Sequence, residues 1–91
     1  MIRTFHPDKG ELHGITVVVD TTGAEVFVGR CDDMDERGIL LHDADVHREG
    51  EGGRSKDDYV RKAARFGVWK KFDTLFVPGE KIASVRRLGE V

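Results

Sequence analysis

The sequence predicts a mostly β domain, a small five-stranded, strongly bent antiparallel barrel with one helix inserted between its third and fourth strands. Three observations carry that reading. Short β-branched and aromatic runs recur between turn signals. A single stretch with helical spacing interrupts them. Gly29 stands inside a run that otherwise reads as strand, and a glycine there marks a bulge, a bend or a close backbone approach.

Residues 1–12 hold Pro7 and Gly10 and read as an irregular N-terminal arm or short edge strand. Ile15-Thr16-Val17-Val18-Val19 is β-branched throughout and predicts the first strand. Asp20-Thr21-Thr22-Gly23-Ala24 is turn chemistry, so residues 25–31 return as the second strand of a hairpin. A polar connector, residues 32–38, ends in glycine. Residues 39–47 predict a third strand, apolar on both faces at first and then polar on one. Its alternation puts Asp43, Asp45 and His47 on a side opposite His42, Ala44 and Val46.

Residues 49–67 form an inserted loop and helix. Glu49-Gly50-Glu51-Gly52-Gly53 is a hinge, and Ser55 is an N-cap with Asp58 at the third helical position. The helix runs over about Lys56–Phe66, with one apolar stripe from Tyr59, Val60, Ala63 and Ala64. Its cations gather late, where the helix dipole favours them, and Gly67 closes it. Residues 67–77 are aromatic and predict a long fourth strand. Pro78-Gly79-Glu80-Lys81 is a tight turn, and residues 82–88 are a fifth strand with Ile82 and Val85 buried.

Of the 91 residues, 38% are apolar and 35% charged, which gives one domain over residues 1–91 and excludes a second core. A chain this size buries roughly 60–65% of its unfolded surface, a marginal fraction, so association between copies is expected. No apolar run approaches the roughly 18 residues of a membrane span, and the N-terminus has no secretory h-region. Cys31 is the one cysteine, which excludes an intrachain disulfide and fits a reducing cytoplasm.

The net charge of −2 hides an asymmetry. Residues 20–52 carry ten acids against three arginines, whereas residues 54–71 carry seven cations against Asp57 and Asp58. Such a basic block is either a footprint for phosphate, a solvated helix surface, or one half of an acid–base match between like chains.

The order of these features resembles the Sm-like family, small barrels that assemble into RNA-binding rings. The first motif reads here as Ile15-Thr16-Val17-Val18-Val19, Gly23, Val26-Phe27-Val28-Gly29-Arg30, Asp35 and Ile39-Leu40-Leu41-His42-Asp43-Ala44. The second reads Phe76-Val77-Pro78-Gly79-Glu80-Lys81-Ile82-Ala83-Ser84-Val85. The resemblance covers about half the chain. It implies a base-gripping site built from the connector, at Asp35 and Arg37, and from the second motif, at Gly79 and Lys81. The chain departs from the pattern where the site is made. Arg37 falls at the stacking position, and a guanidinium can stack on a base. Gly38 replaces the base-reading amide, Pro78 replaces the second-motif arginine, and the connector is one residue shorter. The helix also follows the third strand, whereas most relatives carry theirs at the N-terminus.

Other chemistry is weak. His6, His13, His42 and His47 lack zinc spacing, so no metal is expected. Asp32 and Asp33 disfavour a Cys31 thiolate, which leaves that residue a small buried hydrophobe. Asp32, Asp33, Asp35 and Glu36 have no apolar pocket to tune them, and no glycine loop cradles a phosphate. Phe66, Trp69, Phe72 and Phe76 read as core or interface before base-stacking. The expectation is therefore a non-enzymatic, cofactor-free homo-oligomeric ring of about five to seven copies. It binds single-stranded RNA with altered base specificity, chiefly through Arg61, Lys62, Arg65, Lys70 and Lys71, and no membrane. The alternative is an assembly module that binds protein and not nucleic acid.

Overall fold

The computed structural model describes residues 12–91, so the arm expected over residues 1–12 lies, but for Leu12, outside the described residues. Strands β1 (Thr16–Thr21), β2 (Glu25–Asp35), β3 (Gly38–Arg48), β4 (Phe72–Pro78) and β5 (Ile82–Arg87) form one antiparallel sheet in the order β4-β3-β2-β1-β5. The sheet is bent but does not close, since β4 and β5 are its two edges. The bend follows from chain length. Pro78 and Ile82 are joined by three residues, a reach of at most ~15 Å. Five strands laid flat would hold their edges at least ~19 Å apart. The sheet must curl for that turn to exist.

Bulges supply the curl. Between Val28 and Arg30, β2 sets Gly29 against both Asp43 and Ala44 of β3. Asp43 takes φ 52 there, a left-handed conformation that Asp tolerates better than most residues. A Cβ on Gly29 would stand 2.9 Å from the Ala44 Cβ and 3.2 Å from the His42 carbonyl oxygen. Gly29 thus marks the bend, as expected, because two backbones meet at it. A second register shift lies between Cys31 and Asp33, and a third in β1 and β5 at Asp20 and Thr21.

One face of the sheet gathers Val17, Val19, Cys31, Met34, Ile39, Leu41, Ala44, Val77 and Ile82 into a core drawn from all five strands. The opposite face carries Val18, Val26 and Val28, covered by Val60 and Ala63 of the helix α1 (Lys56–Phe66) and by Leu88. Ser55 caps α1, its hydroxyl accepting from the Asp58 N–H at 3.1 Å, and Gly67 ends it at φ 94. Lys56 ties the helix start to the β1–β2 turn, donating to Asp20 Oδ1 and to the Gly23 carbonyl, each at 2.8 Å. No helix among the described residues is long and apolar enough to cross a membrane.

Three expectations are corrected. β2 continues to Asp35, through most of the predicted connector, because the bulge at Asp32 returns Met34 to the core. β4 begins at Phe72, not at residue 67; residues 67–71 instead cross from α1 to the sheet edge, where the Lys71 N–H meets the Ala44 carbonyl at 2.8 Å. The Asp43 bulge also resets the phase of β3. Ala44 joins the Ile39 and Leu41 face, while Asp45 and His47, expected at a wet strand end, are buried. Phe66, Trp69, Phe72 and Phe76 are exposed, so none belongs to the core of this chain.

Candidate nucleic-acid interface

Asp35-Glu36-Arg37-Gly38 joins β2 to β3 as a two-residue hairpin loop. Asp at its first position and Gly at its fourth is the composition of a type I turn. The Asp35 carboxylate accepts from the Arg37 N–H at 2.8 Å and pairs with the Arg37 guanidinium at 2.8 Å. Those hydrogen bonds, the side-chain one foremost, hold the Asp35 carboxyl below its usual range. Arg37 remains largely exposed, with its plane free to stack although its charge is matched.

The β4–β5 turn packs directly on this loop. The Gly79 N–H donates to the Arg37 carbonyl at 2.8 Å, and a Cβ on Gly79 would stand 2.9 Å from the Glu36 carbonyl oxygen. Gly38 is enclosed as tightly, by the Val77 carbonyl, the Phe76 ring and the Gly79 nitrogen. Three of the sequence-predicted residues, Asp35, Arg37 and Gly79, thus meet at one corner. Lys81 ends the Gly79–Lys81 3₁₀ turn, where its carbonyl accepts from the Thr22 N–H at 3.0 Å. Beside the corner opens a cleft of about 230 Å³ lined by Met34, Arg37, Gly38, Leu40 and Phe76 among others. Sequence reasoning does not place Phe76 here. Its signal is the strand alternation, which sets Phe72, Thr74 and Phe76 opposite the buried Val77.

The basic block lies apart from this corner and is partly neutralised. Arg61 pairs with Asp57 at 2.7 Å, Lys70 with Asp73 at 2.8 Å and Asp43 at 3.5 Å, and Lys71 with Asp45 at 3.5 Å. Arg65 lies over the Phe66 ring, 5.3 Å from its centroid. Lys62 and Arg65 make no ion pair among the described residues. The acid–base asymmetry of the sequence is therefore satisfied to a large extent within one chain.

Cys31 is buried, and desolvation, then Asp33 and Asp32, pushes its thiol up. The thiolate is disfavoured there. No group of three or more metal-ligating side chains clusters among the described residues. A polar cluster that the sequence does not indicate does form: the Tyr59 hydroxyl donates to Asp45 Oδ2 at 2.6 Å, and its ring stacks on His47 at 4.7 Å between centroids.

No family model and no curated protein matches the chain by sequence. Solved structures do match. The Sm protein of Pyrococcus abyssii, in complex with a uridine heptamer, superposes with a TM-score of 0.60 over 86% of this chain and 89% of its own, at 18% identity. The fold is Sm-like. A Sm-like archaeal protein from Pyrobaculum aerophilum superposes with a TM-score of 0.56 at 19% identity. That alignment covers 86% of this chain and 46% of the other, so the chain spans about half of that protein. On this Sm-like frame, Asp35–Gly38 and Pro78–Gly79 occupy the two turns whose contact forms the corner.

Proposed function

We propose that this Sm-like chain is a non-enzymatic single-stranded RNA-binding protein that acts as a homo-oligomer. The observation that carries the reading is the corner itself. The Gly79-to-Arg37 hydrogen bond holds two turns together beside an exposed ring and an exposed guanidinium, Phe76 and Arg37. A flat apolar ring and a planar cation at the mouth of a shallow cleft suit stacking on a base. The Pyrococcus abyssii structure, which holds uridine RNA on the same fold, adds to that support. With a glycine at 38 and a proline at 78, base-edge reading at this corner is weak. Affinity then comes from stacking and from phosphate contacts of Lys62, Arg65, Arg61, Lys70, Lys71 and Lys81.

The alternative, a scaffold that binds protein, is favoured by the intrachain pairing of Arg61, Lys70 and Lys71, which lowers their worth to phosphate. Fluorescence anisotropy with oligo-U, oligo-A and single-stranded DNA at several salt concentrations separates the two. Binding that weakens steeply with salt supports the RNA reading. So does a triple Arg61→Ala, Lys62→Ala, Arg65→Ala variant whose salt slope falls by about one for each phosphate it no longer neutralises. Absence of binding at low salt selects the scaffold.

A further inference from the structure

Asp45 is a buried carboxylate with only one of its two oxygens hydrogen-bonded. It is 6% exposed, on the face of β3 that α1 covers. Its Oδ2 is held by Tyr59, and Tyr59 is itself held in position. The ring stacks on His47, whose Nε2 lies 2.9 Å from the Arg54 carbonyl. A carbonyl only accepts, so Nε2 carries the proton and the imidazole is fixed in one orientation. Burial, then the bond to Asp45, pushes the Tyr59 phenol far up, so it remains a donor. Oδ1 is buried without a hydrogen bond. The Lys71 ammonium stands 3.5 Å away, which is ion-pair distance but too long for a hydrogen bond. Buried acceptors left in this state are costly and call for a donor.

Asp45 lines a cleft of about 220 Å³ between α1 and the 67–71 crossing. The walls are Tyr59, Phe66 and Trp69, and Arg54 and Lys62 are the cations of the lining. Trp69 is 85% exposed and Phe66 75%. With Lys71 beside it, and Glu51 near enough to act on both Tyr59 and Lys71, the cleft holds three cations against two carboxylates. That balance repels a cationic guest, although aromatic walls would otherwise suit one. It fits a guest with a flat ring, an N–H edge at one end and a phosphate at the other.

We infer that this cleft is a second nucleotide subsite, taking a base with an exocyclic amino group from a single-stranded RNA. The amino group donates to Asp45 Oδ1, the ring stacks on Trp69 or Phe66, and the 5′ or 3′ phosphate meets Lys62 and Arg54. Lys71 covers Oδ1 in the empty cleft. Its side chain is half exposed on a segment outside helix and sheet, so it swings aside to the phosphate as the base enters. Adenine, cytosine and guanine each present an amino group. The single N–H of uracil lies between two carbonyls, whose lone pairs oppose the carboxylate, so uracil is discriminated against. The site shares no residue with the Arg37–Phe76 cleft. It rests on the RNA-binding reading and assigns a base class to it.

Trp69 is the one tryptophan of the chain, so its fluorescence reports this cleft alone. Oligo-A, oligo-C and oligo-U are titrated while Trp69 emission and the anisotropy of a dye-labelled strand are followed together. Oligo-A and oligo-C should quench Trp69, oligo-U about tenfold more weakly. Asp45→Asn keeps an oxygen for Tyr59 but turns the other position into a donor, which should erase the preference for oligo-A or invert it toward oligo-U. Lys62→Ala, on the exposed face of α1, should weaken all three strands alike. Quenching by oligo-U equal to that by oligo-A overturns the inference. Anisotropy that reports binding while Trp69 emission stays constant overturns it too, and leaves the RNA reading standing. Failure of both signals with every strand overturns both.

Discussion

Gly38 is confined on three sides, by the Val77 carbonyl, the Phe76 ring and the Gly79 nitrogen, and takes φ 150, a conformation that side chains rarely adopt. The sequence motif suggests that an amide is missing there. The structure adds that none fits, because the space it would take is filled by backbone from β4 and its turn. Restoring the amide with Gly38→Asn should therefore not recover base reading. The extra atoms force the two turns apart, at a cost of about 1–3 kcal/mol or more in stability. Urea unfolding should show a lower midpoint, and oligo-U affinity should fall with it. A variant of unchanged midpoint and sharpened oligo-U preference would refute the packing argument. Arg37 escapes the same confinement, since Asp35 engages only its polar edge.

At the scale of elements, α1 is legible to its ends because its signals are local: Ser55, the stripe of Tyr59, Val60 and Ala63, and Gly67 act within one turn of the positions they specify, although Ala64, expected in that stripe, is exposed. Ser55→Ala removes the acceptor for the Asp58 N–H and should cost about 1 kcal/mol. The helix is the cover over Val18, Val26 and Val28, so the loss should appear as a cooperative shift of the urea midpoint rather than as local fraying. β3 is less legible. Strict alternation assigns Asp43, Asp45 and His47 to one side, and a single bulge reassigns them. Nothing local announces that bulge, because it depends on Gly29 of the neighbouring strand admitting Ala44. The buried Asp45–Tyr59 pair is hidden for the same reason. Gly29 itself is legible as a bend, and so is the Asp35–Arg37–Gly79 grouping, once both turns are matched to the Sm-like pattern. β4 is shorter than its sequence suggests, since aromatic residues that look like strand, Trp69 above all, sit outside the sheet.

At the scale of the whole molecule, the described residues leave two strands half paired. The order β4-β3-β2-β1-β5 gives each edge strand one neighbour within the chain. On β4, Phe72 and Phe76 stand exposed on the same side, and no register shift in its pairing with β3 twists it away. Edge strands that remain single are commonly blunted by lysine, proline or a bulge. Here Pro78 lies only at the last position of β4, and the strand before it is open. Pairing β4 of one copy with β5 of the next satisfies both edges. It is a head-to-tail contact, which closes into a ring when the rotation per copy divides a full turn. About five to seven copies is the expectation, and repetition around one axis would multiply weak base contacts at the Arg37 corner into useful avidity. Native mass spectrometry should give one discrete oligomer with no ladder of higher species. Phe72→Lys places a charge on the edge opposite Ala44; it should leave the circular dichroism unchanged while shifting the mass to the monomer and weakening RNA binding more than the loss of one side chain explains. A wild-type chain that is monomeric in light scattering at high concentration would remove the ring, and with it the avidity on which tight binding by so shallow a cleft depends.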